Sequence, residues 1–107
     1  MFTRVVEITT KPGKARELCS TVNDKVLPIL KKQPGFVDEI TLVSESEPDT
    51  VLAISFWKTQ QDAESYQREQ FAKVNDIVRP TLESEPDIRT FEVDTATNYK
   101  IARGKAA

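Results

Sequence analysis

The chain alternates stretches of β-branched and aromatic residues with two long amphipathic stretches. Residues 2–9 are rich in β-branched side chains, which predicts a first strand. Apolar side chains recur at three- and four-residue steps over residues 15–30, which is the pattern of an amphipathic helix. Pro-Gly pairs at 12–13 and 34–35 bracket this stretch. The N-terminal third therefore predicts a strand followed by a helix.

Three more strands are predicted in the remainder of the chain. The side chains of residues 36–43 alternate between two faces, which predicts a second strand. Residues 88–94 follow a turn rich in Ser, Glu, Pro and Asp and predict the fourth strand. Residues 51–57 are apolar at both odd and even positions, as a central strand covered on both faces would be.

A second helix is predicted between the third and fourth strands. Thr59, with Asp62 three residues later, is typical of a helix start. The helix ends at Pro80, after a break near Phe71. The order β-α-β-β-α-β predicts an α+β fold of the ferredoxin-like type, a four-stranded antiparallel sheet with both helices on one face.

The two faces of the predicted sheet are expected to make different contacts. We expect the helices to cover the face with these residues: Phe36, Ile40, Leu52, Ile54 and Phe56. The opposite face then holds a second, largely apolar set: Val37, Val43, Val51, Ala53, Ser55, Trp57, Phe91 and Val93. That area is too large to leave in water. A second copy covering it predicts a homodimer, with a cavity between sheet and partner or between helices and sheet.

The length of 107 residues, or 12.1 kDa, suits one domain. We predict a domain over residues 1–96 and a polar tail over 97–107, either mobile or lying over a partner. Fifteen basic against seventeen acidic residues leave no basic footprint, so no nucleic-acid partner is expected. No apolar run approaches a membrane span and no secretory signal is recognised, so we expect no membrane partner and a cytoplasmic location.

The chain contains no histidine and one cysteine. It therefore has no imidazole ligand for haem, zinc, copper or iron, and no Ser-His-Asp or Cys-His relay. A single cysteine also excludes an internal disulfide framework and a cysteine-based zinc site. We expect no metal and no cofactor.

Four short segments, in their order and spacing, resemble the antibiotic biosynthesis monooxygenase (ABM) family. They are Lys11-Pro12-Gly13-Lys14, Pro34-Gly35-Phe36, Phe56-Trp57-Lys58-Thr59 with Asp62-Ala63, and Glu69-Gln70-Phe71-Ala72. The resemblance spans residues 2–94. It implies a dimeric α+β barrel and, for some members, oxygenation of polycyclic phenols, anthrones or quinols without metal or flavin.

Other relatives degrade haem, and this chain departs from their pattern. They have a histidine in the second helix after the Phe-Ala segment, where Asn75 or its neighbours stand here. They also have an asparagine on the first strand, where this chain has Val6-Glu7-Ile8. Of the histidine, asparagine and tryptophan that these relatives share, this chain keeps only the tryptophan, Trp57. Haem degradation is therefore disfavoured.

The candidate catalytic residues are Glu7 and Ser55, which we expect to share a cavity and to bind or deprotonate a phenolic hydroxyl. A carboxylate in an apolar pocket has a raised pKa, closer to what a base near neutrality needs. The alternative is that Glu7 lies at a solvated sheet edge or pairs with Arg4 or Arg89.

The candidate substrate-binding residues are Trp57, Tyr66, Phe71, Asn75 and Arg79. Trp57 would stack on a flat aromatic substrate, or else serve packing alone. Tyr66 lies on the apolar stripe and, with Asn75, is expected near the pocket mouth. Arg79 would anchor an anionic group, or simply favour the C-terminal end of its helix.

The predicted function is a cofactor-independent monooxygenase for a small aromatic, phenolic or quinol substrate, in which the substrate anion reduces oxygen. The alternative is a non-enzymatic homodimer that binds a small apolar ligand. The two differ in whether Glu7 and Ser55 face a pocket with Trp57, because Glu7 is the only base that this hypothesis supplies.

Overall fold

The computed structural model describes residues 1–98, 100 and 101, and confirms the predicted ferredoxin-like order. The elements in chain order are β1 (Phe2–Thr9), α1 (Ala15–Thr21), α2 (Leu27–Leu30), β2 (Phe36–Val43), β3 (Thr50–Trp57), α3 (Gln60–Glu69), α4 (Phe71–Val78) and β4 (Asp87–Glu92). The strands form one antiparallel sheet in the order β2-β3-β1-β4. The helices lie on one side of it.

The first predicted helix changes geometry along its length. A π-helical turn at Val22–Val26 joins α1 to α2, so the backbone widens in the middle of the amphipathic stretch. The apolar stripe nevertheless stays in register with the sheet, since Leu18, Val22, Val26 and Leu30 are all buried.

The second predicted helix is two helices. The backbone N–H of Asp62 donates a 3.0 Å hydrogen bond to Oγ1 of Thr59, which confirms the predicted helix start. Gln70 has φ −124° and ψ −24°, and this departure from helical geometry separates α3 from α4. The break next to Phe71 is therefore where the sequence places it. A 3₁₀ turn, Arg79–Thr81, follows α4 and contains Pro80, where the sequence predicts the helix to end.

The helices cover the opposite face of the sheet from the predicted one. Val51 and Trp57 are 0% exposed and Ser55 6%, so the odd-numbered residues of β3 lie under the helices. Leu52, Ile54 and Phe56 lie on the open face instead. The prediction was wrong because β3 is apolar on both faces. Alternation shows which residues share a face, but it does not identify the face that the helices cover.

The open face of the sheet is largely apolar. The described contacts leave Ile40 44%, Leu42 46% and Phe91 50% exposed. Register places Leu42 opposite Leu52, and Ile40 opposite Ile54. These neighbours form one continuous apolar surface on the side away from the helices.

The chain beyond β4 returns to the far edge of the sheet. The Lys100 Nζ atom lies 3.9 Å from Oδ2 of Asp38 on β2, whereas β4 is at the other edge. The predicted tail, 97–107, falls mostly outside the described residues, and its separation from the 1–96 domain remains a prediction. None of the described helices is long and apolar enough to cross a membrane.

Candidate functional site

A cavity of about 60 Å³ lies between the sheet and the two helical segments, 15–30 and 60–78. Most of its lining is apolar and comes from every layer of the fold: Val6, Ile8, Val22, Val26, Leu30, Ala53, Phe71, Val74, Val78 and Pro86. Five residues add polar atoms to this lining: Arg4, Glu39, Ser55, Tyr66 and Asn75. A small number of polar groups in an apolar cavity is the usual composition of a ligand site.

Three of the polar residues form one row across the sheet. Ser55 of β3 is the register partner of Arg4 on β1 and of Glu39 on β2. Because side chains in register point to the same face, all three project toward the helices. We name this set the Arg4–Ser55–Glu39 row. It has a cation at one end, a hydroxyl in the middle and a carboxyl group at the other end.

Arg4 is buried, with only 4% of its surface exposed. Its guanidinium carbon lies 5.0 Å from the ring centroids of both Tyr66 and Phe71, and its Nη2 donates to Oε1 of Gln67. Among the described residues, no carboxylate lies within ion-pair distance of it. Burial lowers the pKa of Arg4, which is the effect expected of a cation removed from water.

Trp57 is packed behind the cavity rather than in its lining. It is 0% exposed, its ring stacks on Tyr66 with centroids 5.0 Å apart, and Phe36 meets it edge-on at 5.6 Å. Its indole N–H donates a 2.9 Å hydrogen bond to Oγ of Ser55. In this arrangement Trp57 supports Tyr66 and Ser55, which themselves line the cavity.

Tyr66 links the tryptophan to the cavity wall. Its ring also meets Phe71 at 6.4 Å in an edge-to-face geometry. Burial raises the pKa of Tyr66 to about 12, although the nearby Arg4 charge opposes this rise. The phenol therefore stays neutral at physiological pH.

Asn75 contributes a buried acceptor without a donor. The residue is 7% exposed, and its Oδ1 has no hydrogen-bond partner among the described residues. An unsatisfied buried carbonyl costs about 1–3 kcal/mol, so such atoms commonly mark a place that a ligand or water completes.

Glu39 is the acidic group of the cavity, although it is not among the residues predicted from the sequence. The side chain is partly buried, and its Oε2 accepts a 2.7 Å hydrogen bond from the Thr41 hydroxyl. Burial raises the pKa of Glu39, and the bond from Thr41 opposes that shift. The sequence offers one sign of a charged site on this face. Arg4 alternates with the apolar Val6 and Ile8 along β1, so a charged side chain shares a face with core residues.

Glu7 does not share the cavity with Ser55, contrary to expectation. It is the register partner of Leu52, which places it on the open face of the sheet. There its Oε1 lies 3.3 Å from Nη2 of Arg89. This is one of the alternatives that the sequence left open, and it removes Glu7 from the group that faces the cavity.

The remaining candidates divide between the cavity and the surface. Tyr66, Phe71 and Asn75 line the cavity, and their role in substrate binding stays a prediction. Arg79 does not, because its half-exposed side chain pairs with Asp76 at 2.9 Å and Glu85 at 3.5 Å. Its contacts are those of a surface residue at a helix end.

A family model described as "Antibiotic biosynthesis monooxygenase" matches residues 1–74. A comparison with curated protein sequences found no match.

Solved structures of similar fold include several proteins of that description. A putative antibiotic biosynthesis monooxygenase from Bordetella bronchiseptica superposes with a TM-score of 0.77 at 14% identity, covering 88% of this chain and 97% of its own. A monooxygenase from Streptomyces coelicolor, solved with the ligand nanaomycin D, has a TM-score of 0.77 at 18% identity, covering 91% and 90%. SnoaB, a cofactor-independent oxygenase from Streptomyces nogalater, has a TM-score of 0.75 at 18% identity, covering 90% and 95%. At these identities the likeness establishes the fold alone.

Proposed function

The chain belongs to the antibiotic biosynthesis monooxygenase family, and from that membership we propose that it is a cofactor-independent monooxygenase for a small phenolic or quinol compound. The observation that supports this most is that two buried polar groups, a cation and a carbonyl oxygen, lack the partners that such groups usually have inside a protein. Arg4 has no carboxylate among the described residues, and Oδ1 of Asn75 has no donor. Both face the same apolar cavity.

A hydroxyaromatic compound complements these groups. Its ring replaces solvent against the apolar lining, and in a compound with two hydroxyls the one that keeps its hydrogen donates to Oδ1 of Asn75. The Arg4 cation favours negative charge on the bound compound, and does so strongly because the cavity is largely shielded from water. Ser55 keeps its own O–H free to donate, since the indole of Trp57 uses only an acceptor position on that oxygen.

The proposed reaction draws all its electrons from the substrate. The phenolate anion reduces molecular oxygen, and for a phenol with an open para position the product is a para-quinone. One atom of O₂ becomes the new carbonyl oxygen and the other leaves as water. The hydroxyl hydrogen and the para hydrogen supply that water, and four electrons pass from the ring to oxygen. The protein binds the ring, favours its anion and excludes bulk water.

The cavity must widen to admit an aromatic ring. An engineered protein cavity that binds benzene measures about 150 Å³, and this one measures about 60 Å³. Phe71 is the side chain best placed to move, because it is only partly buried and begins α4 directly after the break at Gln70. We therefore propose that ligand entry displaces Phe71.

The test is oxygen uptake with a panel of naphthols, anthrones and quinols in the presence of a chelator. Asn75→Leu removes the unpartnered acceptor with little change in size, and Arg16→Met on the exposed surface of α1 is the control. We expect uptake above the enzyme-free rate for the wild type and the control, and about a tenfold or larger loss for Asn75→Leu. Binding without uptake, detected through the fluorescence of Trp57, would instead support the non-enzymatic ligand-binding protein.

We also propose that two copies pair through the open face of the sheet. Helices α1 to α4 cover one side, and among the described residues the other side exposes Ile40, Leu42 and Phe91 by 44–50%. A second copy is the simplest cover for an apolar surface of this kind on a small chain. The proposed dimer thus uses the face with Leu52, Ile54 and Phe56, and the ligand cavity lies on the other side of each sheet.

A further inference from the structure

We propose that Glu39 is the proton acceptor of the cavity, taking the hydroxyl proton of a hydroxyaromatic ligand held between Glu39 and Arg4. The identity of the ligand rests on the proposed function. The role is the one that the sequence suggested for Glu7, which lies on the other face of the sheet.

The geometry of the Arg4–Ser55–Glu39 row supports this assignment. The three residues occupy the neighbouring strands β1, β3 and β2 in register, so the backbones of Arg4 and Glu39 are about 10 Å apart. One aromatic ring lying along the row meets the carboxyl group at one end and the guanidinium at the other. Ser55 lies beneath the middle of the ring, and Asn75 faces the same cavity from α4.

The balance of charge in the row favours the transfer. Arg4 and Glu39 are not an ion pair, so each retains its charge for an interaction with the ligand. When the proton moves, the ligand O–H bond breaks and an O–H bond forms on the Glu39 carboxylate. The negative charge passes from Glu39 to the ligand while Arg4 stays positive. The cavity therefore gains no net charge in the step, and avoids the cost of burying an unpaired ion.

The surroundings of Glu39 suit a base for a weakly acidic hydroxyl. Asp38 of the same strand is the titratable group that acts on Glu39, and Glu39 in turn raises the pKa of Cys19 on α1 and of Tyr66 on α3. None of these is a cation that would hold Glu39 in its ionised form. Burial raises the pKa of Glu39, which narrows the gap to the pKa of a phenol and makes the transfer less uphill.

A binding experiment tests the position of Glu39 without requiring turnover. 4-Nitrophenol ionises near neutrality with a visible colour change, so its ionisation in the bound state is followed by absorbance against pH. Glu39→Gln keeps the size and an acceptor for Thr41 but removes the charge. We expect the bound phenol of Glu39→Gln to ionise about one pH unit lower than in the wild type, because a neighbouring negative charge is gone. Glu17→Gln, an exposed carboxylate of α1, is the matched control and leaves the midpoint unchanged. Equal midpoints for wild type and Glu39→Gln would overturn the proposal.

Turnover of 1-naphthol tests the proton transfer itself. We expect Glu39→Gln to lower the rate of oxygen uptake at saturation by about 100-fold, with the dissociation constant changed less than about threefold. The wild-type rate rises with pH as Glu39 ionises and then levels off. The variant loses that rise and regains activity only where the hydroxyl of the naphthol ionises by itself.

The two experiments separate this inference from the proposed function. A shifted 4-nitrophenol midpoint with no oxygen uptake by the wild type supports the position of Glu39 and contradicts the oxygenase. Oxygen uptake that is equal in wild type and Glu39→Gln, with the same pH profile, supports the oxygenase and overturns the role of Glu39.

Discussion

The indole N–H of Trp57 donates to the hydroxyl of Ser55 two residues earlier on the same strand, and both side chains lie beneath the helices. Alternation along a strand places residues i and i+2 on the same face, so the pair forms within β3 itself. The bond fixes Ser55 Oγ at the floor of the cavity and satisfies the only polar atom of a fully buried indole. The tryptophan thereby positions a cavity group without touching the cavity.

Ser55→Ala is expected to destabilise the fold by about 1–3 kcal/mol, because it leaves the indole N–H of Trp57 buried without an acceptor. Urea unfolding followed by Trp57 fluorescence measures the change. Ser20→Ala, on the exposed surface of α1, is the control and should change stability by less than about 0.5 kcal/mol. Equal effects of the two substitutions would show that the bond contributes nothing.

Gly35→Ala is expected to destabilise the fold by at least about 1 kcal/mol more than Gly13→Ala. Both glycines have positive φ, +77° and +75°, so alanine pays a similar backbone cost of about 1–2 kcal/mol at each. A methyl group at Gly13 meets open space, whereas one at Gly35 collides with the side chain of Asp62 in the first turn of α3. The difference in unfolding free energy between the two variants isolates that collision, and equal losses would contradict it.

Stability is expected to fall between pH 10 and pH 12 through Tyr66. Burial raises the pKa of this phenol from 10.0 to about 12, so the folded chain holds a proton that the unfolded chain has already lost. Unfolding therefore releases a proton in this window, and the loss amounts to about 2–3 kcal/mol once both pKa values are passed. Below pH 10 Tyr66 is protonated in both the folded and the unfolded chain, so it does not change the free energy of unfolding with pH.

Tyr66→Phe is the comparison for this pH dependence, since it retains the ring between Trp57 and Phe71. Unfolding in urea at several pH values should show a shallower decline for the variant than for the wild type. Parallel declines would mean that Tyr66 titrates at its ordinary pKa in the folded chain.

Ile40→Lys is expected to convert the proposed dimer to a monomer without unfolding it. The side chain is 44% exposed on the open face, so a lysine can reach solvent in a single chain but not within an apolar interface. Light scattering on a sizing column should give about twice 12.1 kDa for the wild type and 12.1 kDa for the variant. Val43→Lys, on the helix side of the same strand and 51% exposed, should remain dimeric. A monomeric wild type would contradict the dimer.

The sequence alone predicted the elements closely. The strand over residues 36–43, the helix start at Thr59 and the break near Phe71 all lie where periodicity and local chemistry placed them. These features depend on neighbours within a few residues. Helical spacing, a capping hydroxyl and a Pro-Gly turn act over that range, so one chain without its fold is enough to indicate them.

Which residues line the cavity was decided by the tertiary structure. Arg4, Ser55 and Glu39 are far apart in the chain, and only the order β2-β3-β1 brings them into one row. The face that the helices cover was equally beyond the sequence, because β3 is apolar on both sides and local alternation fits either arrangement. Strand register pairs Glu7 with Leu52 and Glu39 with Ser55, so Glu39 faces the cavity with Ser55 while Glu7 forms a surface pair with Arg89 on the other face. Local periodicity thus fixed the elements, while long-range strand pairing and helix packing chose which side chains meet.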